Sequence, residues 1–205
     1  KYLTEVPGRF KEHNRNYMML AQKMTGASCV YFDDHKAAYL AAQCLADRGC
    51  SKIACLGVTV KDRAAGVSRY EGFEAALRDN GIIIDKKIRV ESGFTYEEAY
   101  KAATELINKN YRFDGVFCAT DTIAIALIKA LNDNGIKVPD DVKVVGIGDS
   151  IVSSYYTPSV TTVHLFYRTA GEEACKMLIE ILENDDKKIV KNNLIGCELI
   201  EREST

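Results

Sequence analysis

Along most of the chain, short apolar runs alternate with stretches of helical spacing. Apolar runs at 17–21 (YMMLA), 30–32 (VYF), 52–57 (KIACLG), 87–91 (KIRVE), 115–119 (GVFCA) and 142–147 predict strands. Between them, 36–45 places apolar residues at 37, 38, 40, 41, 44 and 45, one face of a helix, with Gly49 positioned to end it. Residues 63–77 repeat that spacing at 67, 70, 73, 76 and 77. A helix over 95–107 opens with a capping box, Thr95 standing three residues before Glu98. Another runs over 121–131 and is stopped by Asn134-Gly135. Strand and helix alternating every ~30 residues predict a parallel sheet with right-handed crossovers.

After Ile147 the rhythm changes. Residues 148–158 are polar and turn-rich, 160–166 are extended, 168–182 form an amphipathic helix, and 194–200 read as one closing strand. Residues 1–16 carry no strand pattern, and the chain opens with Lys. A lone strand at 17–21 does not make a stable sheet. The expectation is a fragment, with upstream strands completing a second sheet that shares the helix over 168–182.

Composition narrows the function classes. Of 205 residues, 47% are hydrophobic and 27% charged, enough for a core and unlike a disordered or collagenous chain. The net charge of −2 writes no basic nucleic-acid surface into this part of the chain. No apolar run approaches the roughly 18 residues of a membrane span. Seven scattered cysteines, several inside apolar runs, read as free thiols of a cytoplasmic protein. Cys44, Cys50 and Cys55 lack a tight Cys-x2-Cys pair, so no metal is expected. No Walker sequence, Gly-x-Gly-x-x-Gly, Gly-x-Ser-x-Gly or His-Glu-x-x-His is present, so neither a nucleotide cofactor nor an enzyme is expected.

Ligands of open parallel sheets collect at the carboxyl ends of the strands. Those positions hold Gln22, Arg63 and Arg69, Phe94, Thr120 and Asp121, and Asp149 with Ser150. An aromatic ring, a guanidinium, an amide, carboxylates and hydroxyls are the groups that bind a polyol such as a sugar. Each also has a local reading: Thr120-Asp121 as a helix N-cap, Arg69 as a surface residue, Phe94 as core, Asp149 as turn chemistry. The segment 123–128 (IAIALI) is apolar all round, so its helix needs cover on two sides. Local loops and a partner subunit beside 152–156 both fit.

The blocks FDGVFCATDTIAIALIKALNDNGIKVPDDVKVVGIGDS, YYTPSVTTVHLFYRTAGEEACKMLIEIL, DDHKAAYLAAQCLADRGCSKIACLGV and SRYEGFEAAL resemble the effector domain of the LacI/GalR family of bacterial transcription regulators, from about Tyr17 to the end. The resemblance implies the periplasmic-binding-protein-like type I fold: α/β, two Rossmann-like subdomains with parallel sheets joined by three crossover strands. One subdomain would hold 1–32 plus 166–196, the other 33–163 plus 198–205. It implies a sugar effector bound in the cleft by Arg69, Phe94, Thr120, Asp121, Asp149, His164 and Phe166, to which Gln22 is added from its place after the first strand. Thr120 stands where the family usually has Asn, and Gly148 where many members have a first Asp. CATDTIAIA, IACLGV and VYFDD are most similar to trehalose- and sucrose-operon repressors, pointing to a disaccharide or its phosphate, with Arg63 and Arg69 suited to a phosphate. Ile125 and Tyr156 match a homodimer interface. Operator DNA would be bound by a helix-turn-helix ahead of residue 1. The alternative on the same fold is the extracellular sugar-binding protein of a transporter.

Overall fold

The computed structural model describes residues 2–13, 15–109, 111–183 and 189–205. It begins with helix α1 (Tyr2–Glu12), strands β1 (Met19–Leu20) and β2 (Cys29–Phe32), helix α2 (Asp34–Asp47) and strand β3 (Ile53–Val58). A π-helical turn (Arg63–Ser68) runs straight into α3 (Arg69–Asp79). Then come β4 (Arg89–Ser92), α4 (Tyr96–Asn108), β5 (Gly115–Cys118), α5 (Asp121–Asp133) and β6 (Lys143–Ile147). The last elements are α6 (Ile151–Tyr155), β7 (Thr161–Leu165), α7 (Tyr167–Glu183), β8 (Asn192–Ile195) and β9 (Cys197–Ile200).

These elements form two units, Lys1–Asp33 with Phe166–Gly196, and Asp34–Leu165 with Cys197–Thr205. The smaller unit has a parallel three-stranded sheet, order β1-β2-β8, in which Val30 pairs with Asn193 and Ile195 with Phe32. Helix α7 turns the buried Ala170, Ala174 and Met177 inward, and Tyr167 meets Phe32 edge-on at 5.2 Å between ring centroids.

The larger unit has a six-stranded sheet, order β4-β3-β5-β6-β7-β9, parallel except for the antiparallel β9. All six residues of β3 are buried, because helices cover both faces. Ala54, Leu56, Val116, Cys118 and Val144 share one core with Leu106 of α4 and Ile123, Leu127 and Leu131 of α5. On the other face Phe117 stacks on Phe73 of α3 at 5.2 Å, and α2 packs along α3. Each fully buried Val, Leu, Ile or Phe side chain here stabilises the fold by roughly 1.5–3 kcal/mol. The buried thiols behave as part of this hydrophobic core, since burial pushes Cys55 to about 12 and Cys50 to about 11.

The strand order makes β3 a switch point. The chain leaves β3 for β4 on one side and returns to β5 on the other, and ligands of open parallel sheets bind at the carboxyl ends of such strands, here β3 and β5.

The expected α/β class with parallel sheets holds. The closing strand expected over 194–200 is instead two strands broken at Gly196: β8 bonds β2 in one sheet, and β9 bonds β7 in the other. The turn-rich 148–158 contains α6, too short to show a helical period. The helix expected over 63–77 starts with the π-helical turn, whose first orphan donors are met by Asp62 accepting from the Ala65 N–H at 2.8 Å. Helix α1 fills the stretch that carries no strand pattern, and the first strand is confined to two residues. The capping box at Thr95 and Glu98 forms with both reciprocal bonds.

Candidate functional site

The end of the π-helical turn and the start of α3 carry Arg69 to the switch point. Arg69 is only 8% exposed. Its Nε donates to Asp34 Oδ1 at 2.7 Å, and its Nη1 donates to the Ala119 carbonyl at 2.5 Å. The guanidinium thus ties the first residue of α2 to the end of β5. A buried charge persists only when paired in this way. Among the described residues Nη2 has no protein hydrogen-bond partner, so the pinned fork presents its remaining N–H groups in a fixed plane.

The next positions have scaffold roles. The Thr120 hydroxyl accepts from the Ile123 N–H at 3.3 Å and caps α5. Asp121 is 3% exposed; it accepts from the Ser150 N–H at 2.7 Å and from the Thr162 hydroxyl at 2.5 Å. Its carboxylate holds the turn after β6 against β7. Gly146 makes room for it, since a Cβ there would lie 2.5 Å from Asp121 Oδ1.

Asp149 sits in the left-handed region, φ 49°, which Asp tolerates better than most residues. One carboxylate oxygen faces His164 Nδ1 at 2.8 Å, and the other accepts from Arg202. Burial raises the Asp149 pKa, but the Arg202 and His164 hydrogen bonds and charges outweigh it and hold the group below the ordinary carboxylate value. Deprotonation therefore favours the folded state. The contribution is complete above about pH 5, about one unit above the ordinary Asp value, and is lost as pH falls through the folded pKa. Urea midpoints of the parent are expected to fall between about pH 5 and 3. Asp149→Asn is expected to flatten part of that slope, and an unchanged slope would refute the pairing.

Phe94 lies half-exposed in the loop from β4 to α4, at the same end of the sheet. Gln22 and Phe166 belong to the smaller unit, the first half-buried and the second 36% exposed. A continuous run of bonds joins Arg69 at Ala119, through Thr120 and Asp121, to Thr162, whose hydroxyl also accepts from the Asp149 N–H. Among the expected site residues of the larger unit, Arg69, Thr120, Asp121, Asp149 and His164 thus share one edge. Ile125 and Tyr156 line one shallow apolar groove of about 470 Å³ with Tyr96 and Tyr100. Within the chain α5 already has cover on two sides, from the sheet and from α4, and Ile125 is 6% exposed.

Two residues of this edge were not expected. Asp34 stands in the VYFDD block, where a second acidic residue beside Asp33 was the available signal. Arg202 has no local signal, because its partners Asp149, Ser153 and Val160 are at least 42 positions away.

An open parallel sheet that gathers a pinned guanidinium, three carboxylates and hydroxyls at its carboxyl edge is an α/β small-ligand-binding module. The chain belongs to the periplasmic binding protein-like domain family, whose model matches residues 42–205. It is 33% identical to the HTH-type transcriptional repressor PurR of Vibrio atlanticus (strain LGP32), across 90% of this chain and 55% of PurR. It is 36% identical to the HTH-type transcriptional regulator RegA of Clostridium saccharobutylicum, across 86% of this chain and 53% of RegA. Among solved structures, a complex of the transcriptional regulator CelR with cellobiose superposes with a TM-score of 0.92 at 27% identity, covering 98% of this chain and 62% of CelR. The resemblance to LacI-type regulators therefore holds in sequence and in fold. The chain spans about half the length of these curated relatives. Both relatives are transcriptional regulators. No helix among the described residues is long and apolar enough to cross a membrane.

Proposed function

We propose that this chain is the sugar-sensing and dimerisation part of a cytoplasmic LacI-type transcriptional repressor. A disaccharide or sugar phosphate is its effector, and binding changes operator affinity through a DNA-binding segment outside this chain. The carrying observation is the Arg69 fork, buried, fixed by Asp34 and the Ala119 carbonyl, with N–H groups left for a ligand hydroxyl or phosphate oxygen. Phe94 supplies a ring face for sugar C–H groups, and Asp149 and His164 supply polar contacts. Thr120 and Asp121 act chiefly by shaping this edge. Gln22 joins the ligand set from its place after the first strand, and Phe166 on the family resemblance alone, as Ile125 and Tyr156 join the homodimer interface. The cellobiose bound to CelR supports a sugar effector and is compatible with one of disaccharide size.

A thermal-shift screen of mono- and disaccharides and their 6-phosphates tests the reading. A ligand at about 100 times its Kd is expected to stabilise the protein by about 2.7 kcal/mol. The full-length protein is expected to change operator affinity with the same sugar, by mobility shift. A functional DNA binder that responds to none of them would overturn the sensing role. An upstream secretion signal in place of a helix-turn-helix would favour the transporter assignment.

A further inference from the structure

Arg202 stands just after β9 and makes an unusual number of directed bonds for one side chain. Its Nη2 donates to Asp149 Oδ1. Its Nη1 donates to the Val160 carbonyl at 2.9 Å and to Ser153 Oγ at 3.3 Å, while its backbone N–H donates to Thr161 Oγ1 at 2.9 Å. Ser153 is fully buried in α6 and donates through Oγ to the Ser150 carbonyl at 2.6 Å. Around this buried residue α6 displays Ile151, Val152 and Tyr155, exposed at 79%, 50% and 85%. One guanidinium therefore grips both the carboxylate at the candidate ligand edge and the residue that anchors an exposed apolar helix.

We infer that Arg202 is a positioning residue that couples the state of Asp149 to the conformation of α6. When Asp149 holds Arg202, the fork is aligned on Ser153 and α6 is fixed. When Asp149 is redirected toward a ligand, or neutralised, the fork loses its anchor and α6 loosens. A Lys at 202 cannot serve three acceptors in one plane, which is what this geometry asks of the side chain. The functional meaning rests on reading Asp149 as a ligand contact; the coupling itself does not.

Amide hydrogen exchange over 151–156 tests it in the unliganded chain, with the parent, Asp149→Asn, Arg202→Gln and the double variant. Each single change is expected to speed α6 exchange on the order of ten-fold, because each removes the charge assistance of the bond between Asp149 and Arg202. The double variant is expected to be no faster than either single, with exchange in β3 unaltered throughout. Multiplying effects in the double variant, or parental α6 exchange in Asp149→Asn, would overturn the coupling. If Arg202→Gln does not fold, Arg202→Lys takes its place under the same expectations. Saturating cellobiose is then expected to change α6 exchange in the parent and not in the Arg202 variant. A null calorimetric titration with cellobiose counts against the cellobiose reading alone, because the unliganded cycle still decides the coupling.

Discussion

Arg69→Ala is expected to abolish the sugar-induced rise in melting temperature and to lower the stability of the unliganded protein by about 3 kcal/mol. Two effects are joined here. The first is loss of the N–H groups that the pinned fork offers to a ligand. The second is removal of the cation from Asp34, a carboxylate that is 6% exposed. Breaking a buried pair from one side typically costs about 3–5 kcal/mol. The lower figure applies because Asp34 lies in the first turn of α2, where the helix dipole supports its charge. Arg69→Lys separates the effects: it keeps a charge near Asp34 but cannot hold both acceptors and the ligand in one plane. It is expected to recover much of the stability and little of the sugar response. Urea denaturation and sugar titration of both variants check this, and a full thermal shift in Arg69→Ala would remove Arg69 from the site.

Gly72→Ala is expected to destabilise the protein by about 3 kcal/mol and to weaken sugar binding at least about ten-fold, without touching the ligand. Helix propensity argues the other way, since Ala in a helix interior is favoured over Gly by about 1 kcal/mol. Packing decides. A Cβ on Gly72 would stand 2.0 Å from the His35 carbonyl oxygen and 2.9 Å from its carbon. Both are backbone atoms of α2, so no side chain can swing aside. Helices α2 and α3 must part, and Arg69, one turn earlier on α3, must then shift from Asp34 and Ala119. Denaturant midpoints and sugar titration measure both consequences. A variant as stable as the parent would mean that the two helices do not approach this closely.

The site was legible in proportion to how local its partners are. Thr120 as an N-cap and Thr95 with Glu98 as a capping box were readable because donor and acceptor lie three residues apart. Arg69 was placed at a strand end by the pattern, yet its burial depends on Asp34 and Ala119, which lie 35 and 50 positions away. Arg202 was missed for the same reason. The apolar pattern over 123–128 asks for cover on two sides; loops and a partner subunit are the covers it suggests, and within the chain α4 supplies one of them.

The elements that rest on period and punctuation follow from the linear pattern alone. These are the buried strands β3, β5 and β6, the helices between them, the cap at Thr95, and Gly49 with its φ of 81° ending α2. Those features depend on residues a few positions apart, so the linear pattern contains them. Packing in three dimensions is what divides 194–200 at Gly196 between two sheets, ties the turn after β6 to β7 through Asp121, and brings Arg202 to Asp149. Hydrogen bonds of strands and buried charges are satisfied by whatever the fold brings near. Alternation along a strand sets which side chains face inward, but not which neighbour receives its backbone.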